Sequence, residues 1–149
     1  MFVLVALLGA AGLGLATSSL LGREPPELGL DDAGRLRPCP ATPNCVSSQA
    51  ADAAQRLAPL AVAGPDPIAR LRHAVEQLPR TRIVATTDGY VRAESRTLIF
   101  RYVDDLELAL DAAAGVAQVR SASRVGRSDF GANRARVEQL RELLTSAAR

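Results

Sequence analysis

The chain has 149 residues and a formal net charge of +2. A chain of this length fits one domain that buries its own core. All 18 basic residues are arginine, but they are nearly balanced by acidic residues. The clustered basic excess of a nucleic-acid-binding protein is therefore lacking. The chain also has no Trp, which disfavours stacking on bases. We expect no nucleic-acid partner.

Residues 1–22 form an apolar segment that contains no charged side chain. A helix of about 20 apolar residues crosses the hydrocarbon core of a bilayer. We therefore predict a hydrophobic N-terminal helix, which is either a signal anchor or a cleaved signal peptide. We favour an anchor in the membrane through Met1–Leu21, because a positive n-region and a clean cleavage site are both lacking.

Two opposing signals indicate on which side of the membrane the domain lies. Arg23, Arg35 and Arg37 follow the apolar segment, and by the positive-inside rule they favour the cytoplasm. The cysteine pair described below favours an oxidising compartment. We favour an inner-membrane protein whose domain faces the periplasm. The alternatives are a secreted periplasmic protein after cleavage and a domain that faces the cytoplasm.

Residues 23–37 are predicted to be a linker, because they contain prolines, glycines and mixed charge without periodicity. A single domain is predicted over 38–149. It begins with Cys39 and Cys45 in a proline-rich loop, and we favour a disulfide between them. A zinc site would need two more ligands, and the chain has one His and two Cys. We therefore expect no metal and no cofactor. A nucleophilic Cys45 with His73 as its base is an alternative.

Two amphipathic helices enclose a strand-like region. Asp66 as N-cap and Pro67 at the first helical position begin the first helix, which Pro79 ends. Ser128 or Asp129 is predicted to cap the second helix. Its apolar stripe consists of Phe130, Val137, Leu140 and Leu144.

The residues between the helices predict antiparallel strands. The segments 82–86 and 90–94 flank Asp88-Gly89, which is a hairpin signal. Residues 97–103 are rich in β-branched and aromatic side chains, and 104–110 alternate between apolar and polar. Residues 115–120 are the predicted partner of 104–110.

The register of this last pair is predicted from its apolar residues. Leu106 is placed opposite Val119, which puts Asp105 opposite Arg120 on the other face. The pleat points Asp104 away from Asp105. The predicted fold class is α+β: an antiparallel sheet of four to five strands with an N-terminal and a C-terminal helix packed on one face, preceded by the hydrophobic N-terminal helix.

Arginine and hydroxyl side chains are concentrated at 120–134, between the last strand and the last helix. Free N–H groups at a helix start and nearby guanidinium groups bind anions, so one interpretation is a pocket for a phosphate or carboxylate group. The alternative is that Arg120 and Arg124 pair with nearby carboxylates, and that Ser128 or Asp129 only caps the helix. The candidate polar network consists of Asp104, Asp105 and Asp129.

Three segments resemble one family. They are Cys39-Pro-x-x-Pro-Asn-Cys-Val-Ser-Ser48, Phe100-Arg-Tyr-Val-Asp-Asp-Leu-Glu107 and Arg120-Ser-Ala-Ser-Arg-Val-Gly126, the last with polar residues on the following helix. They resemble domain-of-unknown-function family 1499, an uncharacterised bacterial and plastid family, from about Pro38 to Leu144. The resemblance implies no activity. It does indicate that the polar residues of these segments carry the family pattern.

The leading hypothesis is a binding or accessory domain of the cell envelope, with a small anionic ligand or an envelope protein as its partner. The candidate ligand-binding residues are Arg120, Ser121, Ser123, Arg124, Asn133, Arg134, Asn44, Ser47 and Ser48. One alternative is a hydrolase-like enzyme that uses Cys45 or Ser47 with Asp and Arg support. The other is a structural subunit of a membrane complex.

Overall fold

The computed structural model describes residues 28–62, 64–99 and 101–146. The predicted hydrophobic helix at Met1–Leu21 lies outside these ranges. None of the helices within them combines the length and the apolar composition that a bilayer crossing requires.

The described residues form six strands and two helices. The bounds are β1 Cys45–Ser47, β2 Leu60–Ala61, α1 Pro67–Glu76, β3 Thr81–Thr86, β4 Tyr90–Arg96, β5 Val103–Asp111, β6 Val116–Ser123 and α2 Ala132–Ser146. The strands form one antiparallel sheet in the order β1-β6-β5-β4-β3, and β2 also pairs with β6. The α+β class is therefore confirmed. The predicted strand number is too low, because the short β1 and β2 lie in segments without a clear alternating pattern.

Helix α1 begins as the sequence predicts. Asp66 accepts a hydrogen bond from the backbone N–H of Ala69 at 2.9 Å, and Pro67 is the first helical residue. Leu71 and Val75 are fully buried against the sheet. The spacing of these two residues places them on one face of the helix, which packs into the core.

Helix α2 packs on the same face of the sheet, as predicted. Val137, Leu140 and Leu144 lie in the same core as the buried residues of α1. Phe130 does not join them, because it precedes the helix and is 99% exposed. The chain is in the left-handed region at Phe130, with φ 52°, so the helical stripe cannot extend back to it.

The predicted strand at 97–103 is wrong over most of its length. Residues 97–99 and 101–102 lie in the loop between β4 and β5. Thr97 and Tyr102 close this loop, with the N–H of Thr97 donating to the carbonyl of Tyr102 at 3.0 Å. Leu98 and Ile99 are exposed to 73% and 78%. Their β-branched or apolar character therefore reflects neither strand pairing nor core packing.

The predicted register of β5 and β6 is wrong by two residues. Leu106 lies opposite Ser121, Leu108 lies opposite Val119, and Arg120 lies opposite Glu107 rather than Asp105. The turn occupies 112–115 because Gly115, with φ 66°, takes its last position and β6 begins one residue later. A two-residue shift keeps every side chain on its predicted face.

The second face of the sheet, opposite the helices, is covered by the segment before β1. Residues 28–37 belong to the predicted linker, but they contact the domain. Leu36 is buried, and its N–H donates to Gln49 Oε1 at 3.0 Å. The N–H of Gly29 donates to Glu107 Oε1 at 2.7 Å. Long-range contacts order this segment although it has no periodic pattern.

Candidate functional site

The predicted site residues lie on both faces of the sheet around the C-terminal end of β6. Alternate residues of a strand point to opposite faces, so Ser121 faces the helices and Arg120 faces the other way. β1 pairs with this end of β6, and Cys45 lies opposite Ala122. The two segments that supply the candidate ligand-binding residues therefore meet.

Glu107 is the centre of a buried polar cluster on the second face. Its carboxylate accepts hydrogen bonds from Arg120 Nη1 at 2.9 Å, the Tyr90 hydroxyl at 2.7 Å and the N–H of Gly29 at 2.7 Å. Glu107 is fully buried, and these donors replace the water that a buried carboxylate loses. Burial, followed by the hydrogen bond to Glu107, raises the pKa of the Tyr90 phenol.

Arg124 joins two carboxylates beside this cluster. Its Nε and Nη2 donate to the two oxygens of Asp105 at 2.7 and 2.8 Å, and its Nη2 also donates to Glu94 at 2.7 Å. The hydrogen bond to Asp105 is the largest reason why the pKa of Arg124 is raised. Burial by itself would raise the pKa of Glu94, but Arg124 and then Arg82 outweigh it and lower that pKa.

A cleft of about 470 Å³ lies on the second face, and we call it the ring cleft. One wall is the loop closed by Cys39 and Cys45, and the other is the end of β6. Asn44 Nδ2 donates to the carbonyl of Gly126 at 2.7 Å and connects the walls. The lining residues include Arg37, Cys39, Asn44, Asp105, Arg120 and Arg124.

Two arginines that line the ring cleft, one before the disulfide loop and one on β6, each have an unused donor. The Nε–H groups of Arg37 and Arg120 are buried and have no acceptor among the described residues. Arg120 as a whole is only 4% exposed. A buried donor without an acceptor costs about 1–3 kcal/mol. An acceptor that reached these two groups would remove this cost.

The helix-facing side of the same region is a closed hydrogen-bond network around Asn133. Asn133 Nδ2 donates to the carbonyl of Asn44 and to Ser123 Oγ, both at 3.0 Å. Its Oδ1 accepts from Ser121 Oγ at 2.7 Å and from Arg136 Nη1 at 2.6 Å. Asn133 and Ser121 are fully buried. These two residues connect β1, β6 and α2 and are not accessible to a ligand.

Asp129 occupies the start of α2, where an anion pocket is one of the predicted interpretations. Its Oδ2 accepts from the N–H of Asn133 at 2.8 Å, and its Oδ1 accepts from the N–H of Gly131 at 3.2 Å. The carboxylate thus takes the N–H groups that a bound anion would need. A ligand here would have to displace Asp129, whereas the ring cleft offers unused donors.

Arg134 and Ser48 form hydrogen bonds to neighbouring segments of the chain. Arg134 Nη2 donates to the carbonyl of Ala54 at 2.8 Å, and Ser48 Oγ donates to Gln118 Oε1 at 2.7 Å. Both contacts fix the chain that follows β1. Neither side chain lines the ring cleft.

Cys39 and Cys45 form a disulfide, as predicted. The alternative in which Cys45 is a nucleophile is therefore wrong, because the sulfur of Cys45 is bonded to Cys39. Ser47 is 2% exposed, and its Oγ accepts from the N–H of Gln49 at 3.1 Å. His73 lines a groove between α1 and α2, on the opposite face of the sheet. Among these three candidate residues, the geometry places no accessible nucleophile beside a base.

Asp104 and Asp105 point to opposite faces, as the pleat predicts. Asp104 accepts from Arg136 Nη2 at 2.7 Å on the helix side, and Asp105 pairs with Arg124 on the other. Within the described ranges, no group of three or more His, Cys, Asp or Glu could hold a metal ion.

The predicted site lacks Glu107, although one family segment ends on it, and it also lacks Arg37, Tyr90 and Glu94. A signal for the last two exists in the sequence. Tyr90, Arg92 and Glu94 alternate with apolar residues along β4, and the last two lie opposite Glu107 and Asp105 of β5. For Arg37 the sequence holds no local signal, because its position depends on how the segment before β1 folds over the sheet.

In its described residues, this is an α+β domain with two helices on one face of an antiparallel sheet and a charged, disulfide-edged cleft on the other. The chain belongs to the family described as "Protein of unknown function (DUF1499)", whose model matches residues 35–144. The resemblance of the three sequence segments is thereby confirmed. No curated protein matches the chain.

Proposed function

We propose that the chain is a binding domain of the bacterial cell envelope that takes a small anionic ligand in the ring cleft. One observation carries this proposal: Arg120 is buried, lines the cleft and has an Nε–H without an acceptor among the described residues. A carboxylate or phosphate oxygen is the acceptor that a guanidinium group binds most strongly.

The composition of the cleft supports an anion rather than a neutral ligand. Arg37, Arg120 and Arg124 line it, against Asp105 as the acidic lining residue. Arg124 is paired with Asp105 and Arg120 donates its Nη1 to Glu107, so the donors that remain are the Nε–H groups of Arg120 and Arg37. The volume of about 470 Å³ lies within the range of small-molecule sites, which is about 300–1,000 Å³.

Arg37 is the best residue for a test, because Arg120 also supports the buried Glu107. Inorganic phosphate and citrate are titrated into the full chain by calorimetry. For whichever of the two anions binds, we expect Arg37→Gln to raise the Kd by about tenfold. The reason is that a hydrogen bond to a charged group contributes about 1.5–3 kcal/mol. Arg35→Gln is the matched control, because Arg35 is exposed two residues away.

Two outcomes would contradict the anion site. One is that neither anion binds. The other is that Arg37→Gln and Arg35→Gln weaken binding equally, which would indicate a general charge effect.

The location is part of the same proposal: an inner-membrane anchor at Met1–Leu21 with the domain in the periplasm. The disulfide supports an oxidising compartment. Intact cells are treated with a membrane-impermeant maleimide before and after reduction. Labelling of Cys39 and Cys45 only after reduction is expected. Labelling that requires cell lysis would contradict the periplasmic location.

A structural role in a membrane complex is the second candidate. It is favoured by the pairing of Arg124 with Asp105 and by the exposed Leu98, Ile99 and Phe130. Extraction in a mild detergent discriminates the two. A stable larger assembly that is lost on Phe130→Ala would support the structural role, whereas a monomer that binds anions would support the first proposal.

A further inference from the structure

We propose that one end of the sheet docks onto the surface of an anionic lipid bilayer. This end consists of residues 97–99 and 101–102 of one loop, residues 124–131 of a second loop, and Arg80, and we call it the basic end. The proposal does not depend on a ligand in the ring cleft. It concerns how the domain is oriented, and it carries its own test.

The basic end concentrates the exposed apolar side chains. Among the described residues, four large hydrophobic side chains are exposed, and Leu98, Ile99 and Phe130 are three of them. The two loops are adjacent, because the N–H of Arg124 donates to the carbonyl of Val103 at 3.0 Å. Leu98 also lines a cleft together with the first residue of α2. Clustered exposed apolar side chains mark interaction surfaces.

The backbone holds Phe130 outward at a conformational cost. Phe130 has φ 52°, and Arg101 in the other loop has φ 54°. Left-handed backbone at such residues is uncommon and persists where neighbouring contacts enforce it. Here Ser128 Oγ accepts from the N–H of Phe130 at 3.3 Å, and Asp129 accepts from the N–H of Gly131. The turn therefore presents an aromatic ring to the outside.

The charges of the basic end match an anionic surface. Arg80, Arg101 and Arg127 are exposed. The acidic residue of the two loops is Asp129, and its carboxylate is engaged in capping α2. Apolar side chains surrounded by arginines are typical of surfaces that bind anionic lipid.

The opposite end of the sheet has the reverse character. Its turns carry Asp88, between β3 and β4, and Asp111, at the end of β5, and both are exposed. The exposed Leu98, Ile99 and Phe130 all lie at the basic end. The domain is thus polarised along its strands, so an anionic bilayer would attract one end and repel the other.

The chain length permits this orientation. Gly29 lies beside Glu107, which is four residues along β5 from Val103, or roughly 13 Å at the strand rise. Residues 22–29 reach at most about 25 Å when extended. An anchor at Met1–Leu21 can therefore hold the domain with its basic end on the bilayer.

The absence of Trp from the chain permits a site-specific test. Full-length Phe130→Trp and Ala113→Trp variants place a single Trp at the basic end or at the opposite turn. Each is reconstituted with vesicles that contain phosphatidylglycerol or only phosphatidylcholine, with brominated lipid as the quencher. Equal Tm values for both variants establish that the fold is retained.

We expect strong quenching and a blue shift of the indole in the Phe130→Trp variant on phosphatidylglycerol vesicles, and at least twofold weaker quenching in the Ala113→Trp variant. Adding Arg101→Gln and Arg127→Gln should lower the equilibrium constant for docking, by roughly fivefold per arginine. Equal quenching in both variants, or a solvent-exposed indole in the vesicle-bound Phe130→Trp variant, would overturn the proposal. Protein that does not associate with the vesicles at all would overturn it as well. Quenching that is the same without phosphatidylglycerol would refute the role of the arginines.

Discussion

Arg124 and Asp105 form a buried two-point ion pair, in which Nε and Nη2 of the arginine donate to the two carboxylate oxygens at 2.7 and 2.8 Å. The side chains of both residues are almost fully buried, at 2% and 1% exposure. The geometry requires a planar guanidinium group, which lysine does not possess.

Arg124→Gln should therefore destabilise the protein by about 3 kcal/mol, because it leaves the Asp105 carboxylate buried with weaker partners. Arg124→Lys should recover only part of this loss. Urea denaturation measures both. The control is Arg127→Gln in the same loop, which is exposed and should change stability by less than about 0.5 kcal/mol. A loss below about 1 kcal/mol for Arg124→Gln would show that the pair is not a main support of the second face.

Asn133→Ala should cost about 1–3 kcal/mol, because it removes the acceptor of the buried Ser121 hydroxyl and one of the two donors to the carbonyl of Asn44. Gln139→Ala on the exposed side of α2 is the matched control and should be nearly neutral. Thermal unfolding of both variants provides the comparison. Equal Tm values would contradict the role of the amide as the connection between β1, β6 and α2.

The helices and the first hairpin could be predicted because their signals are local. Asp66-Pro67 begins α1, and Asp88-Gly89 forms the turn between β3 and β4. The β5–β6 register could not be fixed from the sequence, because it depends on which residue ends a single turn. A shift of the turn by one position moves every pair by two, and both registers bury the same apolar face.

The candidate site could be predicted only in part. The resemblance and the polar composition indicated the Cys39–Cys45 loop and the end of β6, and the structure brings these two segments together. The sequence did not show which of these residues line the cleft and which lie in the network on the helix side. Ser121 and Arg120 are neighbours in sequence but belong to different environments. Arg37 was missed since its segment is positioned by contacts with distant residues.

Leu36→Ala tests whether residues 28–37 are a folded part of the domain. Leu36 is 3% exposed, so its truncation should cost about 2–3 kcal/mol. Leu30→Ala is the control, because Leu30 is 39% exposed and its truncation should cost under about 1 kcal/mol. Guanidinium denaturation of the full chain measures both. If the two variants lose the same small amount, the segment is a linker after all.

Glu94 predicts a specific acid sensitivity. The pKa of its carboxyl is lowered from the ordinary 4.5 in the folded state. The ionised carboxylate therefore stabilises the folded protein at pH values above 4.5. This contribution is lost as the pH falls through the lowered folded pKa. Glu94→Gln should therefore be less stable than the wild type at neutral pH, by about 1–2 kcal/mol, and the difference should vanish in acid.

Chemical denaturation at a series of pH values below neutral checks this slope. Glu76→Gln is the control, because the Glu76 side chain is half exposed and lies 3.9 Å from Arg72. It should follow the wild-type curve closely. A constant difference between Glu94→Gln and the wild type at all pH values would contradict the ionic basis of the effect.

The disulfide should contribute to both stability and binding. Removing it with Cys39→Ser and Cys45→Ser together should cost roughly 2 kcal/mol, since the chain-entropy term for such a short ring is of this size. The ring also forms one wall of the ring cleft, so anion binding should weaken in the same variant.

Reductant should lower the Tm of the wild type to that of the double variant and leave the double variant unchanged. An equal loss of Tm on reduction in both proteins would show that the reductant acts elsewhere. Full anion affinity in the double variant would show that the closed ring is not needed to shape the cleft.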